Sequence, residues 1–266
     1  MRIQIGRMGN VPVLDGSDRA RIGFGLDAID RRLPHSGLPT GVLHEVMGQG
    51  PDTEHGATAS LLIAGLLARI DPTRPILWAM QRNDLFAPGL AAVGLHPRRL
   101  ILAQCGKSVL AVMEEALRHS DLVAVVGELE GHLDLNMSRR LQIAAEASGV
   151  TAFLIRRSRR FDDPALLTPS AAVSRWRVAT LPQTSASYSL DTLSGRPLWR
   201  LELLRCREAS FPFNWIVQSC DAQGRLAEAT LDAASRQDRL HAPDRLPLAS
   251  LLADRPAHAR GMLRQA

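Results

Sequence analysis

Short apolar runs alternate with longer, periodically apolar runs over the first half of the chain. The short runs have the continuous apolar character of buried strands, and the longer runs place apolar residues at helical spacing. This alternation predicts an α/β fold whose mainly parallel sheet is flanked by helices and built with right-handed crossovers. Predicted strands cover 42–47, 75–80, 99–103, 122–126 and 151–155, and predicted helices cover 23–33, 57–70, 85–93, 109–118 and 138–147, with a loop at 48–56.

The pattern changes after the fifth predicted strand. Residues 156–169 are charged, contain prolines and have loop character, and a further strand is predicted at 174–180. Two later runs, 199–205 and 215–219, alternate apolar and polar residues, which predicts antiparallel strands added at the C-terminal edge of the sheet. After these runs Ala, Arg and Asp dominate. The predicted organisation is an N-terminal arm (1–22), a core domain (23–220) and a partly ordered C-terminal tail (221–266).

Composition favours a cytoplasmic protein without a membrane segment. The 266 residues are 45% hydrophobic and carry 32 basic against 27 acidic side chains. The longest uncharged apolar stretch, 57–68, is much shorter than the roughly 20 residues of a membrane helix, and no signal-peptide pattern is present. Three separated cysteines fit neither a disulfide framework nor a paired metal site. Every basic residue except Lys107 is an arginine, which reflects either genomic base composition or contacts with nucleic acid or an acidic partner.

The loop after the first core strand has the position of a phosphate-binding loop but lacks its key residues. Such a loop follows the pattern G-x-x-x-x-G-K-[ST], in which backbone N–H groups and the lysine hold the phosphates. Here five residues separate Gly50 from Gly56, and Ala57 occupies the lysine position before Thr58. Two acidic residues between the glycines add negative charge beside a negative ligand. We therefore expect a degenerate nucleotide loop and no bound cofactor.

Two further positions lack the acids that ATP hydrolysis requires. Gly127 follows the predicted strand 122–126, where an acid would hold magnesium, and Glu128 turns to the opposite face. Gln81 follows the second predicted strand and can orient a water but cannot take its proton. The scattered histidines have no partner at ligand spacing, so we expect no metal site. Because the lysine and both acids are missing together, the sequence predicts a protein without catalytic activity.

Two clusters of arginines lie at the ends of predicted strands. The larger cluster has four arginines within five residues, at the edge where open α/β sheets place their binding loops. Each cluster is either a solvated charged face or a set of contacts to a partner or to the phosphates of single-stranded DNA. The larger cluster comprises Arg156, Arg157, Arg159 and Arg160, and the smaller one comprises Arg205 and Arg207.

The order of these pieces resembles the RecA family over roughly residues 23–220. The segment Gly37-Leu38-Pro39-Thr40-Gly41 resembles the family's turn before the phosphate-loop strand, and Arg205-Cys206-Arg207 followed by Phe211-Pro212-Phe213 resembles its basic strand end. Within that family the chain is similar to the ImuA family. The phrases that carry this similarity are LHEV (43–46), DLFAPGLAAVGL (84–95), VLAVMEEALRHSDLVAVVGE (109–128), SRRLQIAAEASGVTAFLIRR (138–157), SRWRVATLP (174–182) and WRLELLRCR (199–207).

The resemblance implies a RecA-like core that serves as an SOS-induced accessory factor in translesion DNA synthesis. ImuA-type proteins work with ImuB, an inactive relative of Y-family polymerases, and with an error-prone replicative-type DNA polymerase. RecA itself and single-stranded DNA are further candidate partners. Together with the missing lysine and acids, this predicts a non-catalytic adaptor. The alternatives are a weak RecA-like ATPase and a regulator that binds single-stranded DNA directly.

Overall fold

The computed structural model describes residues 19–181, 196–207 and 213–229, which form an α/β fold. The strands are β1 (Arg21–Ile22), β2 (Leu38–Pro39), β3 (Leu43–Gly48), β4 (Ile76–Met80), β5 (Leu100–Gln104), β6 (Ala124–Glu130), β7 (Thr151–Arg157), β8 (Ser174–Leu181), β9 (Leu198–Cys206), β10 (Phe213–Gln218) and β11 (Ala227–Glu228). The α-helices are α1 (Asp27–Asp30), α2 (Asp52–Ala68), α3 (Ala87–Ala91), α4 (Val109–Ala116) and α5 (Leu135–Ser148). Short 3₁₀ turns cover Pro34–Ser36, Pro97–Arg99, Gly106–Ser108 and Pro164–Leu167.

One mixed sheet of nine strands organises the described residues. Its order is β11-β10-β9-β8-β3-β7-β6-β4-β5, and β1 pairs separately with β2. Every neighbouring pair from β8 to β5 is parallel, whereas β9, β10 and β11 are antiparallel to their neighbours. The predicted α/β class, its mainly parallel sheet and the added antiparallel strands are confirmed.

Helices cover the sheet on both faces, which explains why its strands are continuously apolar. Helix α2 packs on one face, above a core that contains Trp78, Phe153 and Trp176. Helices α4 and α5 pack on the other face, where Val125 and Leu154 are fully buried. None of the helices in the described ranges combines the length and apolarity that crossing a bilayer requires.

Helix α2 begins at Asp52, so the predicted loop 48–56 is wrong from residue 52 onward. Pro51 precedes the helix in an extended conformation, with φ −64° and ψ 148°. Asp52 and Glu54 lie in the first turn, where negative charge interacts favourably with the helix dipole. The charges and Gly56 that suggested a loop are therefore part of a helix start.

Strands β6 and β7 both extend past their predicted ends. The register pairs the last residues of β6 with the last residues of β7, so both strands end on charged side chains. Gly127 and Glu128 therefore lie within β6, and Arg156 and Arg157 lie within β7, rather than in the loops that follow. These side chains find charged partners across the sheet, which sequence periodicity does not reveal.

The sheet also continues into the predicted C-terminal tail. Strand β11 pairs with β10, and Leu226 is buried with its N–H donating to the carbonyl of Phe24 at 3.1 Å. At the other end, β1 lies inside the predicted N-terminal arm. The rest of the predicted arm and tail, 1–18 and 230–266, lies outside the described residues, as do Phe211 and Pro212.

Candidate functional site

A cluster of ion pairs lies at the carboxyl edge of the parallel strands, centred on Arg157 at the end of β7. Its Nε donates to Oδ2 of Asp52 at 2.7 Å, at the start of α2. Its Nη1 donates to Oδ1 of Asp84 at 2.7 Å and to Oε2 of Glu128, on β6, at 2.6 Å. The Arg157 side chain is only 16% exposed. One guanidinium thus joins the first turn of α2, the segment after β4 and strand β6.

Arg82 adds a second cation to the same cluster. Its Nη2 lies 3.3 Å from Oδ2 of Asp52 and 3.5 Å from Oε2 of Glu130, and its Nε lies 3.7 Å from Oδ2 of Asp84. We call Asp52, Arg82, Asp84, Glu128, Glu130 and Arg157 the Arg157 cluster. Each of its four carboxylates has at least one arginine partner, but two arginines against four carboxylates leave the cluster with a formal net charge of −2.

Burial and the bonds of Arg157 act in opposite directions on the pKa values of the cluster. Burial raises the pKa of Glu128, although the hydrogen bond that its Oε1 accepts from Trp78 Nε1 at 2.7 Å and the charge of Arg157 oppose the rise. The hydrogen bond from Arg157 lowers the pKa of Asp84. Burial alone lowers the pKa of Arg157, but the bond to Asp84 and the charge of Glu128 outweigh it and raise the pKa. Arg157 therefore stays charged.

The predicted nucleotide loop is held by the rest of the protein. Its backbone N–H groups at Gln49 and Asp52 donate to the carbonyls of Val178 and Ser158, at 3.0 and 2.7 Å. A β-carbon at Gly50 would lie 3.1 Å from the Phe161 ring. These contacts hold the turn between β3 and α2 against β8, the end of β7 and Phe161.

The other predicted loop residues lie in α2. The buried Thr58 places its Oγ1 2.6 Å from Oγ1 of Thr180, on β8. Gly56 and Ala57 instead line a cavity of about 280 Å³ between α2 and the α3 region, which Glu128 and Arg157 border. The four residues assigned to one loop therefore face different surroundings.

The two positions predicted to lack acids also differ from the sequence-based interpretation. Gly127 faces α4, where a β-carbon would collide with the sulfur of Met113. An acid at position 127 would therefore point away from α2, and the β6 side chain on the α2 face is Glu128. Oε1 of Gln81 accepts the backbone N–H of Glu130 at 2.8 Å. Gln81 thus fixes the end of β6.

The basic run after β7 divides into buried and exposed arginines. Arg156 is fully buried, lies 3.6 Å from Glu45 and donates to the carbonyls of Gly131 and Ala165 at 2.9 and 2.8 Å. Arg159 is 66% exposed and pairs with Glu130 at 3.1 Å, and Arg160 is exposed. The interpretation of four arginines as one solvated or phosphate-binding surface is therefore wrong for Arg156 and for the central Arg157.

The smaller pair is held in the fold in a similar way. Arg205 donates to the carbonyl of Ser170 at 2.9 Å, and Arg207 donates to the carbonyl of Ala171 at 3.2 Å. Both arginines thereby attach the end of β9 to the segment before β8. Within the described part of the chain, no group of three His, Cys, Asp or Glu side chains is arranged to hold a metal ion.

Comparison with known proteins identifies the family. Two curated relatives from two strains of Caulobacter vibrioides, each named Protein ImuA, are 37% identical to this chain over 209 residues, which cover 76% of the chain and 84% of the relative. The chain belongs to the ImuA family. The resemblance inferred from the sequence phrases is thus confirmed, although no family model matches this member of the ImuA family.

Most of the Arg157 cluster of this ImuA-family chain could not be predicted from local sequence patterns. Asp84 follows β4, Glu128 lies near the end of β6 and Arg157 ends β7, and parallel strands bring their carboxyl ends to one edge. The sequence signal for this cluster was the presence of oppositely charged residues near the carboxyl ends of several predicted strands. Asp52 is one of the two acidic residues between Gly50 and Gly56 that were interpreted only as charges unfavourable to a phosphate ligand, whereas in the structure it is a partner of Arg157.

Proposed function

We propose that this ImuA-family chain is a non-catalytic adaptor of translesion DNA synthesis, built on a RecA-like core and induced in the SOS response. In this proposal it assembles with ImuB and an error-prone replicative-type polymerase in the cytoplasm. Family membership supports a role in the ImuA/ImuB mutagenesis cassette. The adaptor role, the named partners and the absence of catalysis are our inference.

The observation that carries this proposal is the occupied start of α2. A phosphate at a helix N-terminus needs available N–H groups and a compensating cation. Here Asp52 brings a carboxylate to that end of the helix, and its own N–H donates to Ser158. The nearest strong cation, Arg157, already binds three carboxylates. The cation and the N–H group that could bind a nucleotide phosphate at the start of α2 are therefore already bound to other groups of the protein.

Nucleotide binding tests the non-catalytic part of the proposal. A ligand present at about a hundred times its dissociation constant adds about 2.7 kcal/mol to the free energy of unfolding. We expect the full chain to show no such gain with Mg-ATP and no phosphate release. ATP hydrolysis by the purified protein that Thr58→Ala abolishes would instead support the alternative, a weak RecA-like ATPase.

Co-purification tests the adaptor part. Tagged full-length chain, recovered from cells treated with a DNA-damaging agent, should retain ImuB and the error-prone polymerase through a salt wash. A tagged unrelated protein of similar charge is the control for non-specific capture. If neither protein is enriched over that control, the adaptor proposal fails.

Direct binding of single-stranded DNA is the second candidate, because Arg159 and Arg160 are both exposed beside the Arg157 cluster. Changing both to alanine leaves the buried arginines in place. If the candidate holds, this change weakens binding of an oligonucleotide and reduces the salt dependence of that binding. Unchanged affinity in the double variant would exclude this surface as a DNA contact.

A further inference from the structure

Strand β5 forms one end of the nine-stranded sheet and pairs only with β4 among the described residues. Successive side chains of a strand project to opposite faces, yet neighbouring Ile101 and Leu102 are 48% and 45% exposed. An apolar edge strand of this kind is a template for pairing with another chain. This strand therefore differs from the covered interior of the sheet.

The backbone of β5 directs polar groups outward. The N–H of Cys105, directly after the strand, donates inward to the carbonyl of Met80 at 2.8 Å. Because N–H groups along a strand alternate in direction, the amides of Leu102 and Gln104 point away from β4. An added strand would find these donors already aligned.

The two ends of the sheet are protected to different degrees. Strand β11 has only two residues, Ala227 and the exposed Glu228, which matches the short, charged edges that proteins use against unwanted pairing. Strand β5 has five residues, LILAQ, without a charge or a proline. The edge at β5 is thus the one suited to accept a strand.

The charged residues around β5 determine which kind of strand can pair with it. Residues 85–113 contain no Asp or Glu, and the exposed Arg98 and Lys107 lie just beyond the two ends of the strand. Two copies of β5 paired antiparallel about Leu102 would bring Arg98 of each copy near Lys107 of the other, which like-charge repulsion disfavours. A strand with acidic residues at its ends is complementary instead.

We propose that the edge of β5, which has no pairing strand among the described residues, binds an extended, acid-flanked strand of a partner protein, which becomes a tenth strand of the sheet. Main-chain hydrogen bonds provide the affinity in this mode, and Ile101 and Leu102 provide apolar contacts on the two faces. Arg98 and Lys107 favour acidic flanks. This inference rests on the proposed adaptor function, which requires a protein partner, and it identifies the edge of β5 as the surface that binds this partner.

The probe is a synthetic peptide, Glu-Asp-Val-Thr-Val-Thr-Val-Asp-Glu, compared with the same apolar centre flanked by lysines. We expect the acidic peptide to bind the full chain at least about tenfold more tightly than the basic peptide and to slow hydrogen exchange at the amides of Leu102 and Gln104. Equal affinity of the two peptides, or unchanged exchange at these amides, overturns the proposal. Amides that are already protected in the free chain at low concentration also overturn it, because another part of the chain then covers the edge.

Substitutions test the same edge. Leu102→Pro removes an outward donor, a change that edge strands tolerate, and Leu102→Lys adds a positive charge to the apolar surface. Both should weaken binding of the acidic peptide at least about tenfold, because Pro removes a main-chain donor and Lys replaces the apolar contact of Leu102, a loss that outweighs attraction to the acidic ends of the peptide. Unchanged binding in both variants overturns the proposal. Ile143→Lys, which adds the same charge to the exposed side of α5, should leave binding unchanged. Equal weakening by Ile143→Lys would show that net charge, not the edge, controls binding.

Co-purification of ImuB with these variants separates this inference from the adaptor function. Loss of ImuB with Leu102→Lys, but not with Ile143→Lys, supports both. Full retention of ImuB with both Leu102 variants leaves the adaptor function standing and overturns the edge as its surface. If the peptide binds as expected while the unmodified chain retains no ImuB, the edge stands and the proposed function fails.

Discussion

Single charged residues hold the carboxyl edge of the sheet together, and Arg157 does most of this. Replacing it with Met should cost about 3 kcal/mol of unfolding free energy or more, because the buried Glu128 loses its cation. Urea denaturation measures the loss. Arg159→Met is the matched control, since its side chain is largely exposed and pairs only with Glu130 among the described contacts; it should cost about 0.5 kcal/mol or less. Similar losses for the two variants would mean that the buried contacts of Arg157 contribute little.

The buried His44 makes the stability of the folded protein depend on pH. Its ring is fully buried, with Nδ1 2.7 Å from Ser174 Oγ and Nε2 2.9 Å from the carbonyl of Pro39. Burial lowers its pKa from 6.5 to about 4, the bond to Pro39 partly opposes this, and the charge of Arg21 adds to the lowering. Since the unfolded chain then binds more protons between these values, stability is present above pH 6.5 and is lost as the pH falls towards 4.

The expected size of this effect is about 2 kcal/mol lost between pH 7.5 and pH 5. Urea denaturation at the two pH values measures it, and the comparison uses His44→Asn, which has no titrating ring. The loss of unfolding free energy between the two pH values should be smaller by about 2 kcal/mol in His44→Asn, even if this variant is less stable at both pH values. His119→Gln, at an exposed position, should keep the full loss. Identical pH dependence in the original chain and His44→Asn would contradict the assignment.

At the scale of elements, strand interiors could be predicted from the sequence and their ends could not. The interior of β6 is a continuous apolar run, which is sufficient evidence of a strand covered on both faces. Its last residues, Glu128 to Glu130, are stable in a strand because Arg157, Arg82 and Gln81 bind them. Those partners are remote in sequence, so periodicity alone ends the strand too early.

Helix α2 illustrates a contact between elements that the sequence conceals. Gly65 lies in the middle of α2, where glycine is unfavourable for a helix by about 1 kcal/mol. A β-carbon there would lie 2.5 Å from Sγ and 3.0 Å from Cβ of Cys220, so the helix and the segment after β10 approach closely at this point. Gly65 is therefore required by packing, although propensity argues against it.

We expect Gly65→Ala to destabilise the protein by about 1–3 kcal/mol, because overpacking outweighs the gain in helix propensity. Gly56→Ala in the same helix is the control, since its nearest atoms all belong to Asp52 in the preceding turn. It should cost less than Gly65→Ala. Thermal or urea unfolding compares the two variants, and a more stable Gly65→Ala protein would show that the segment after β10 can move aside.

For the molecule as a whole, fold class followed from the sequence more readily than the site did. Alternating apolar runs are local information, and they were enough for an α/β fold. The Arg157 cluster joins positions as far apart as Asp52 and Arg157, and only the strand order brings them together. The buried Arg156 likewise had the same local signal as the exposed Arg160. Tertiary contacts, rather than the run of charges, distinguish the two.

The position along the chain at which the folded core ends is also a property of the whole molecule, and truncated chains test it. A chain that stops after Cys220 lacks β11 and the buried Leu226, whose burial alone contributes about 2 kcal/mol. It also lacks Arg225, whose carbonyl accepts from Arg196 at 3.2 Å. A chain that stops after Thr230 retains all of these contacts. We expect urea denaturation to show a loss of about 2 kcal/mol or more for the shorter chain relative to the longer one. Equal stability of the two would mean that residues 221–229 add nothing to the core, as a tail beginning at Asp221 requires.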